Sequence, residues 1–418
     1  IGNARPLVVF DVLVRLLRKI YPKVTYVRNI TDIDDKINKR AIEKKINISE
    51  LTNETIKNFH KDAHALGNLK PDFEPKATDH ISEMIEMIET LISNGFAYVS
   101  SGNVLFAVEK YNNYGALSGR SLDEMISGSR VEVAEYKKNP GDFILWKPSS
   151  EKLPGWDSPW GRGRPGWHIE CSAMSKKYLG TQFDIHAGGL DLIFPHHENE
   201  IAQSCCANKS DIMANYWLHN GYVTSDGEKM SKSLGNFTTI NSLLLNFRGE
   251  AIRYALMQAQ YRAPLSFSKK SLDEATKSLS RLYRAVEGFE VNDGQDTQII
   301  DNLCDDLNSP KALARLHYLA DEANKGSKEC AQKLKNSSNI LGILCNSTDE
   351  WFKFGEINSN EAIENSAMTE KEIDELIIKR KIAKENKEYE KADQIREQLL
   401  EKNIQLEDKA DRTVWRRL

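Results

Sequence analysis

Residues 183–200 read Phe183-Asp184-Ile185-His186-Ala187-Gly188-Gly189-Leu190-Asp191 and, after two apolar residues, Phe194-Pro195-His196-His197-Glu198-Asn199-Glu200. A strand-like run, a glycine bend and a proline-opened helix follow one another, and such a unit packs as part of a parallel sheet flanked by helices. The start of the chain repeats the alternation. Val9, Leu13, Leu16, Leu17 and Ile20 fall at helical spacing, Val24 to Ile30 reads as a strand, and a helix resumes near Lys36. Two such halves put a ligand at the carboxyl edge of the sheet. Between them, Ala97-Tyr98-Val99, a Ser-Gly-Asn turn and Val104 to Val108 form a hairpin pattern, and Pro, Gly and Trp punctuate the stretch to Gly166. Leu272, Ala275, Leu279, Leu282 and Val286 mark a later amphipathic helix. A polar linker near Asn358 to Ser366 precedes a last unit from about Met368.

The 418 residues, 40% of them apolar, contain no apolar run approaching the roughly 18 residues of a membrane span, so several soluble domains are expected and no membrane partner. Six cysteines without framework spacing imply a reducing, cytoplasmic setting, and the adjacent pair Cys205 and Cys206 reads as packing. A net charge of −4 excludes blanket affinity for nucleic acid. From residue 370 onward 13 Lys and Arg balance 13 Asp and Glu, so recognition there cannot rest on bulk charge.

Three segments carry chemistry. Lys229-Met230-Ser231-Lys232-Ser233 places two lysines three residues apart among hydroxyls, which suits the growing charge of a departing pyrophosphate; a solvated loop is the alternative. At the start, Ile1-Gly2-Asn3-Ala4-Arg5-Pro6 is a glycine turn before a helix whose free N–H groups and positive dipole end suit phosphate, although an ordinary turn before a core helix is the commoner meaning of these residues taken alone. In the third, Pro195 opens a helix on which His196 and Glu200 share a face, and Cys171 adds a thiolate from elsewhere. One sulfur, one nitrogen and one oxygen suit zinc and leave a position for a fourth donor, although a polar helix start is the commoner meaning of such letters.

Together these segments resemble the cysteinyl-tRNA synthetases, a family of class I aminoacyl-tRNA synthetases. The likeness rests on Gly2 and Asn3, on Tyr26 to Asp35, on Gly166-Trp167-His168-Ile169-Glu170-Cys171-Ser172-Ala173-Met174, on Phe183 to Glu200, on Lys229 to Ser233, and on the terminal Trp415-Arg416-Arg417. It implies an α/β fold: a split Rossmann-type nucleotide-binding domain with an insertion, then a helical bundle and a small C-terminal anticodon-binding domain. The expected divisions are 1–80 and 161–225 for the catalytic halves, 81–160 for the inserted connective domain, 226–268 for the signature-loop region, 269–365 for the bundle and 366–418 for the anticodon-binding domain.

The resemblance also implies roles. Gly2, Asn3, Lys229 and Lys232 would be catalytic, and with Gly189, Asp191 and Met230 they would bind ATP. Asn3 stands where the first signature elsewhere has its second His. Cys171, His196 and Glu200 would hold one zinc per chain, with Thr31, Trp167 and His168 around the cysteine substrate, while His197 and Glu198 stay open between second-shell and surface positions. A further Cys ligand and the leading His of the first signature are expected just before Ile1. Lys384, Tyr389, Asp393, Asp408 and Trp415 align with anticodon-reading positions, Lys and Tyr replacing the more usual Arg and Trp. The implied activity is ATP-dependent ligation of L-cysteine to its tRNA through a cysteinyl adenylate, by a monomer, with Mg²⁺ accompanying ATP. Two alternatives are a cysteine ligase acting on an amino sugar and a non-catalytic tRNA-binding paralogue.

Overall fold

The computed structural model describes the chain except residues 121–133, 226–227, 230–237, 354–367, 369, 403, 409–412 and 418, and except the side chains of 225, 228, 229, 416 and 417. It divides into two compact units, one of residues 1–16, 62–68 and 222–418, the other of 17–61 and 69–221. None of the described helices is long and apolar enough to cross a membrane.

The opening helix α1 (Ala4–Ile20) begins two residues before Pro6. Proline is tolerated there because first-turn N–H groups have no helical partner. Its buried face is Val8, Val9, Val12 and Leu16, whereas Ile20 in the last turn is 46% exposed.

In the unit of 17–61 and 69–221, Val24 to Ile30 is extended but does not form the expected strand. It makes two isolated parallel bridges, Val27 with Phe73 and Ile30 with Lys76. Phe73 N donates to Tyr26 O and Ala77 N to Ile30 O, so the intervening bond to Arg28 O would fall to residue 75. That residue is Pro75, which has no N–H, and the ladder is broken there. Helix α2 (Asp35–Lys44) is capped by Asp34, whose Oδ1 accepts from Lys36 N and Ile37 N. Helices α3 (Ile48–Ala65) and α4 (Ile81–Ser93) follow.

Strands β1 (Ala97–Ser100), β2 (Asn103–Phe106), β3 (Phe143–Pro148) and β4 (Gly163–Pro165) then form an antiparallel sheet in sequential order. The first hairpin turns through Ser101 and Gly102, both at positive φ (49° and 75°), as a two-residue loop requires. Met84, Met87, Ile88 and Leu91 of α4 share one core with Val104, Phe106, Leu145 and Trp146 of the sheet and with Ile169, Ala173 and Met174 of α5 (Trp167–Leu179). Beyond it, β5 (Phe183–Gly189) pairs in parallel with β6 (Ala214–Asn220) through the crossover helix α6 (Glu198–Asn208). Gly189 and Asn220 lie opposite each other at the carboxyl ends.

In the other unit, β7 (Val223–Ser225) pairs with β8 (Glu228–Lys229) and with β9 (Leu265–Ser266). The short α7 (Ile240–Leu243) and α8 (Gly249–Leu256) precede a helical array of α9 (Lys269–Ala285), α10 (Thr297–Cys304), α11 (Ser309–Asn324), α12 (Lys328–Ser338) and α13 (Thr348–Lys353). The apolar stripe of α9 is buried as its spacing requires, from Leu272 through Leu282. Arg253 of α8, fully buried, joins this array to α1 by donating to Asp11 Oδ2 (2.5 Å), Asn68 Oδ1 (2.9 Å) and Leu341 O (2.7 Å). The chain ends with α14 (Glu370–Glu385), α15 (Tyr389–Glu401) and a hairpin of β10 (Ile404–Asp408) and β11 (Thr413–Arg417) around a small core of Ile373, Ile395, Leu399, Ile404, Leu406 and Trp415. The polar linker near Asn358 to Ser366 lies outside the described residues.

Candidate functional site

Gly166 sets the start of α5. Its N–H donates to Leu145 O (2.8 Å), and a Cβ there would lie 2.1 Å from Ile144 O, so only glycine lets the chain pass from β4 into the helix this close to strand β3. Cys171 follows one turn after Trp167. On the other side, Phe194 is extended (φ −134°, ψ 132°), as a residue before proline prefers, and helical turns resume at Pro195. His196 and Glu200 then face the same way.

The three donors converge. Cys171 Sγ is 3.7 Å from His196 Nε2, His196 Nε2 is 2.9 Å from Glu200 Oε1, and the three ligand atoms lie within 4.8 Å of one another. His186 Nε2 approaches the other carboxylate oxygen at 3.1 Å, and His186, His197 and Glu200 form a second such trio. Both Glu200 oxygens thus rest against imidazoles at ion-pair distance, although poorly aligned for hydrogen bonds, and the residue is wholly buried. Imidazole nitrogens, a sulfur and a carboxylate crowded around one buried point are what a cation between them would require, and this soft-to-borderline set fits zinc. Burial opposes charge on Glu200, yet His186 and His196 hold its carboxyl well below the usual range. Burial pushes the Cys171 thiol well up, with Glu200 and Glu170 adding to it; a cation reverses that influence.

The surrounding shell is ordered. His168 Nδ1 lies 2.8 Å from His196 Nδ1, and burial lowers His168 to about 3, so His168 is neutral and one proton is shared between the two Nδ1 atoms; with that proton on His196, its Nε2 is free toward the cluster. Trp167, half exposed, stacks on His196 at 4.1 Å. Thr31 hydrogen-bonds to the buried Glu170, the neighbour of Cys171. His197 Nδ1 meets His219 Nε2 at 2.8 Å, and Gly188 makes room for it, since a Cβ would come within 2.9 Å of His197 Cε1. Glu198 is a clamp: its oxygens accept from Gly115 N (2.9 Å) and Ser118 N (3.0 Å), while Asn199 accepts from Tyr114 (2.5 Å). Sequence reasoning missed His186, His219 and Asn29, whose amide donates to Cys171 Sγ at 3.5 Å. Alternation along β5 from Gly188 was a signal for His186 alone.

Gly189 and Asp191 stand at the carboxyl end of β5, where a Gly189 Cβ would lie 2.6 Å from Asp191 Oδ1, and Asp191 is exposed. In the other unit, Gly2 and Asn3 form an exposed turn before α1, with open space beside Gly2. The Ile1 nitrogen donates to Thr238 O (2.6 Å), which ties this turn to the segment following the lysine signature. The Lys229 backbone belongs to β8; its side chain, Met230 and Lys232 lie outside the described residues.

Of the C-terminal candidates, Tyr389 is 62% exposed at the start of α15 and Asp393 is exposed one turn on. Asp408 accepts two bonds from Arg380 (2.8 and 2.9 Å), one from Lys384 (2.8 Å) and one from Thr413 (2.7 Å), and Arg380 above all holds its carboxyl far below the ordinary range. Trp415 is not on this surface. It is 5% exposed in the core, with its indole N–H on Asp374 (3.0 Å).

Residues 1–277 match the family described as tRNA synthetases class I (C) catalytic domain, and residues 298–346 match the DALR domain. A cysteine–tRNA ligase of Rhodospirillum rubrum is 50% identical over all of this chain and 92% of its own length, and one of Gluconobacter oxydans is 52% identical over all of this chain and 90% of its own. Among solved structures, the methionyl-tRNA synthetase of Mycobacterium tuberculosis bound by methionyl-adenylate superposes with a TM-score of 0.58 at 14% identity, over 81% of this chain and 85% of that one, which is a likeness of fold alone. The match to the catalytic family over most of the chain, with half of all residues shared across full-length relatives, means that this chain belongs to the cysteine–tRNA ligases, class I aminoacyl-tRNA synthetases of the α/β split-Rossmann type.

Proposed function

We propose that the protein joins L-cysteine to its tRNA in two ATP-dependent steps, with zinc as the element that recognises cysteine. The observation that carries this reading is the convergence of Cys171 Sγ, His196 Nε2 and the wholly buried Glu200 carboxylate on one point. These three would hold the metal, which when bound takes the substrate side chain as a thiolate. Trp167 then forms the open wall of the amino-acid pocket and His168 keeps His196 in the ligating tautomer. Thr31, held by Glu170, lies on the segment leading into that pocket.

In the first step the cysteine carboxylate attacks the α-phosphorus of ATP in line, and pyrophosphate departs with its Mg²⁺. Gly2 leaves the start of α1 open to phosphate, and Asn3 offers an amide donor beside it. Asp191 accepts from the ribose hydroxyls, with Gly189 giving close approach at the carboxyl end of β5. Lys229 and Lys232, with Met230 between them, meet the charge that develops on the leaving group. In the second step the terminal ribose hydroxyl of the tRNA attacks the adenylate carbonyl and AMP leaves. Tyr389, Asp393 and the Lys384–Asp408 pair form the surface that reads the anticodon, and Trp415 supports it from the core. The divisions at 80, 160, 225, 268 and 365 are the proposed functional layout.

The test is cysteine-dependent exchange of pyrophosphate into ATP, then charging of tRNA, by the full-length protein and by its Cys171→Ser variant. Activity in both assays, with zinc content falling sharply in Cys171→Ser, supports the reading. Stoichiometric zinc in that variant removes the ligand assignment, and cysteine-independent exchange removes the substrate.

A further inference from the structure

The corner formed by α2 and α3 encloses a polar cavity of about 650 Å³ that no role described above uses. Cavities of this size hold small organic ligands. Asn38 lines it from α2, is 3% exposed, and neither its Oδ1 nor its Nδ2 has a hydrogen-bond partner. Buried amides in folded chains are nearly always bonded, because leaving the group unmade forfeits its hydration with nothing in return. Its surroundings are not those of a core. Lys45, Lys76 and Lys152 line the same cavity, and Trp156 supplies an aromatic wall. Two acids, Asp32 and Asp79, face the three ammonium groups, which leaves one positive charge in excess; Asp32 is fixed by Thr78 through its N–H (3.0 Å) and its hydroxyl (2.6 Å), and Lys76 donates to Asn53 Oδ1 (3.5 Å).

We propose that this cavity is a nucleotide subsite, in which Asn38 pairs with the edge of a base, Trp156 stacks on its face and the lysines meet phosphate. A side-chain amide presents a donor and an acceptor side by side, the pattern that engages a base edge through two hydrogen bonds. Stacking on an aromatic ring adds affinity for any base, and ammonium groups serve as point charges for phosphate. A water on Asn38 would satisfy the amide but gives no reason for an aromatic wall and three lysines around it. The occupant is a free nucleotide or an unpaired residue of a bound RNA; the recognition chemistry is the same for both.

Lysine acetylation of the full chain separates the sources. It is measured without ligand, with each of the four ribonucleoside monophosphates, and with tRNA, using the 86%-exposed Lys270 as internal reference. Occupancy should slow acetylation of Lys45, Lys76 and Lys152 by about threefold or more. Protection by a monophosphate assigns the subsite to free nucleotide, and protection by tRNA alone assigns it to an RNA residue. Asn38→Leu, close in volume and lacking both amide atoms, should keep the melting temperature and lose the protection. Should that variant not fold, Lys152→Ala on an exposed loop should weaken the protecting ligand by about tenfold in direct titration. Absence of protection by all five ligands overturns the proposal, as does protection that persists in folded Asn38→Leu or unweakened binding by Lys152→Ala.

Discussion

Glu200 and Asp408 are both carboxylates held well below their ordinary range, and they differ in what holds them. Around Asp408 the bonds are complete: Arg380, Lys384 and Thr413 donate to it, and 44% of the side chain still meets solvent. Around Glu200 they are not, for the carboxylate is sealed from water and its oxygens have only poorly aligned imidazoles against them, with a thiol close by. A finished ion-pair network on a surface shapes recognition and adds little stability. An unfinished buried one is a place that something else must complete.

The sharpest way to break this contrast is to remove a donor from the unfinished site. With zinc bound, cysteine should be activated at least about 10⁴-fold better than serine in kcat/KM, because an apolar pocket alone separates such near-isosteres by only about 10²-fold. His196→Ala should bring the ratio down to that lower figure, measured by pyrophosphate exchange with each amino acid. A folded, zinc-free variant that still rejects serine as well as the parent does would refute the role given to the metal. The next effect lies in the lysine signature, where the charge to be met appears only as the reaction proceeds. Lys232→Ala should lower kcat for activation by about 10²-fold or more with a smaller change in KM for cysteine. A change confined to KM would contradict it.

That His196 and Glu200 share a face was legible because helical spacing is a local property and Pro195 announces where the helix begins; that Cys171 comes beside them followed from the resemblance, not from spacing. Asn29, His186 and His219 were not, since each is brought in by an extended segment whose neighbours are decided by strand pairing far along the chain. The strand expected over Val24 to Ile30 failed for the same reason: its pattern was right, but its partner segment carries Pro75 where a donor was needed. Trp415 was placed among the anticodon-reading positions that the resemblance implies. Pairing with Leu406 across the β10–β11 hairpin instead turns its ring onto the core face, a consequence of register that its own neighbours in sequence do not reveal. The hairpin Ala97 to Phe106 was legible because its turn residues dictate its geometry.

Smaller effects test the finished surface. Tyr389→Ala should reduce kcat/KM for tRNA by about tenfold, the loss of one stacked base, with pyrophosphate exchange unchanged. An equal loss in both assays would deny that the C-terminal surface acts through RNA. Asp408→Asn should cost about 1 kcal/mol at low salt, since exposure screens the network, and less at high salt. The sign with pH follows from a folded-state carboxyl lying below its unfolded one: the contribution is complete above about pH 4 and is lost as pH falls toward the folded value. Urea titrations of parent and variant should therefore converge in acid, and a difference that grows on acidification would reverse the assignment.

Gly166 constrains how such proteins can be recombined. Because the residue touches the β3 backbone, the insertion's third strand and the helix bearing Cys171 share one joint with no tolerance for a side chain. A chimaera that exchanges the segment ending in β3 for another of similar length must reproduce that carbonyl's position to within the width of a methyl group, or it will assemble with Cys171 displaced. Strand β3 is thus part of the jig that locates Cys171, and graft boundaries placed upstream of β3 should succeed where those between β3 and α5 fail.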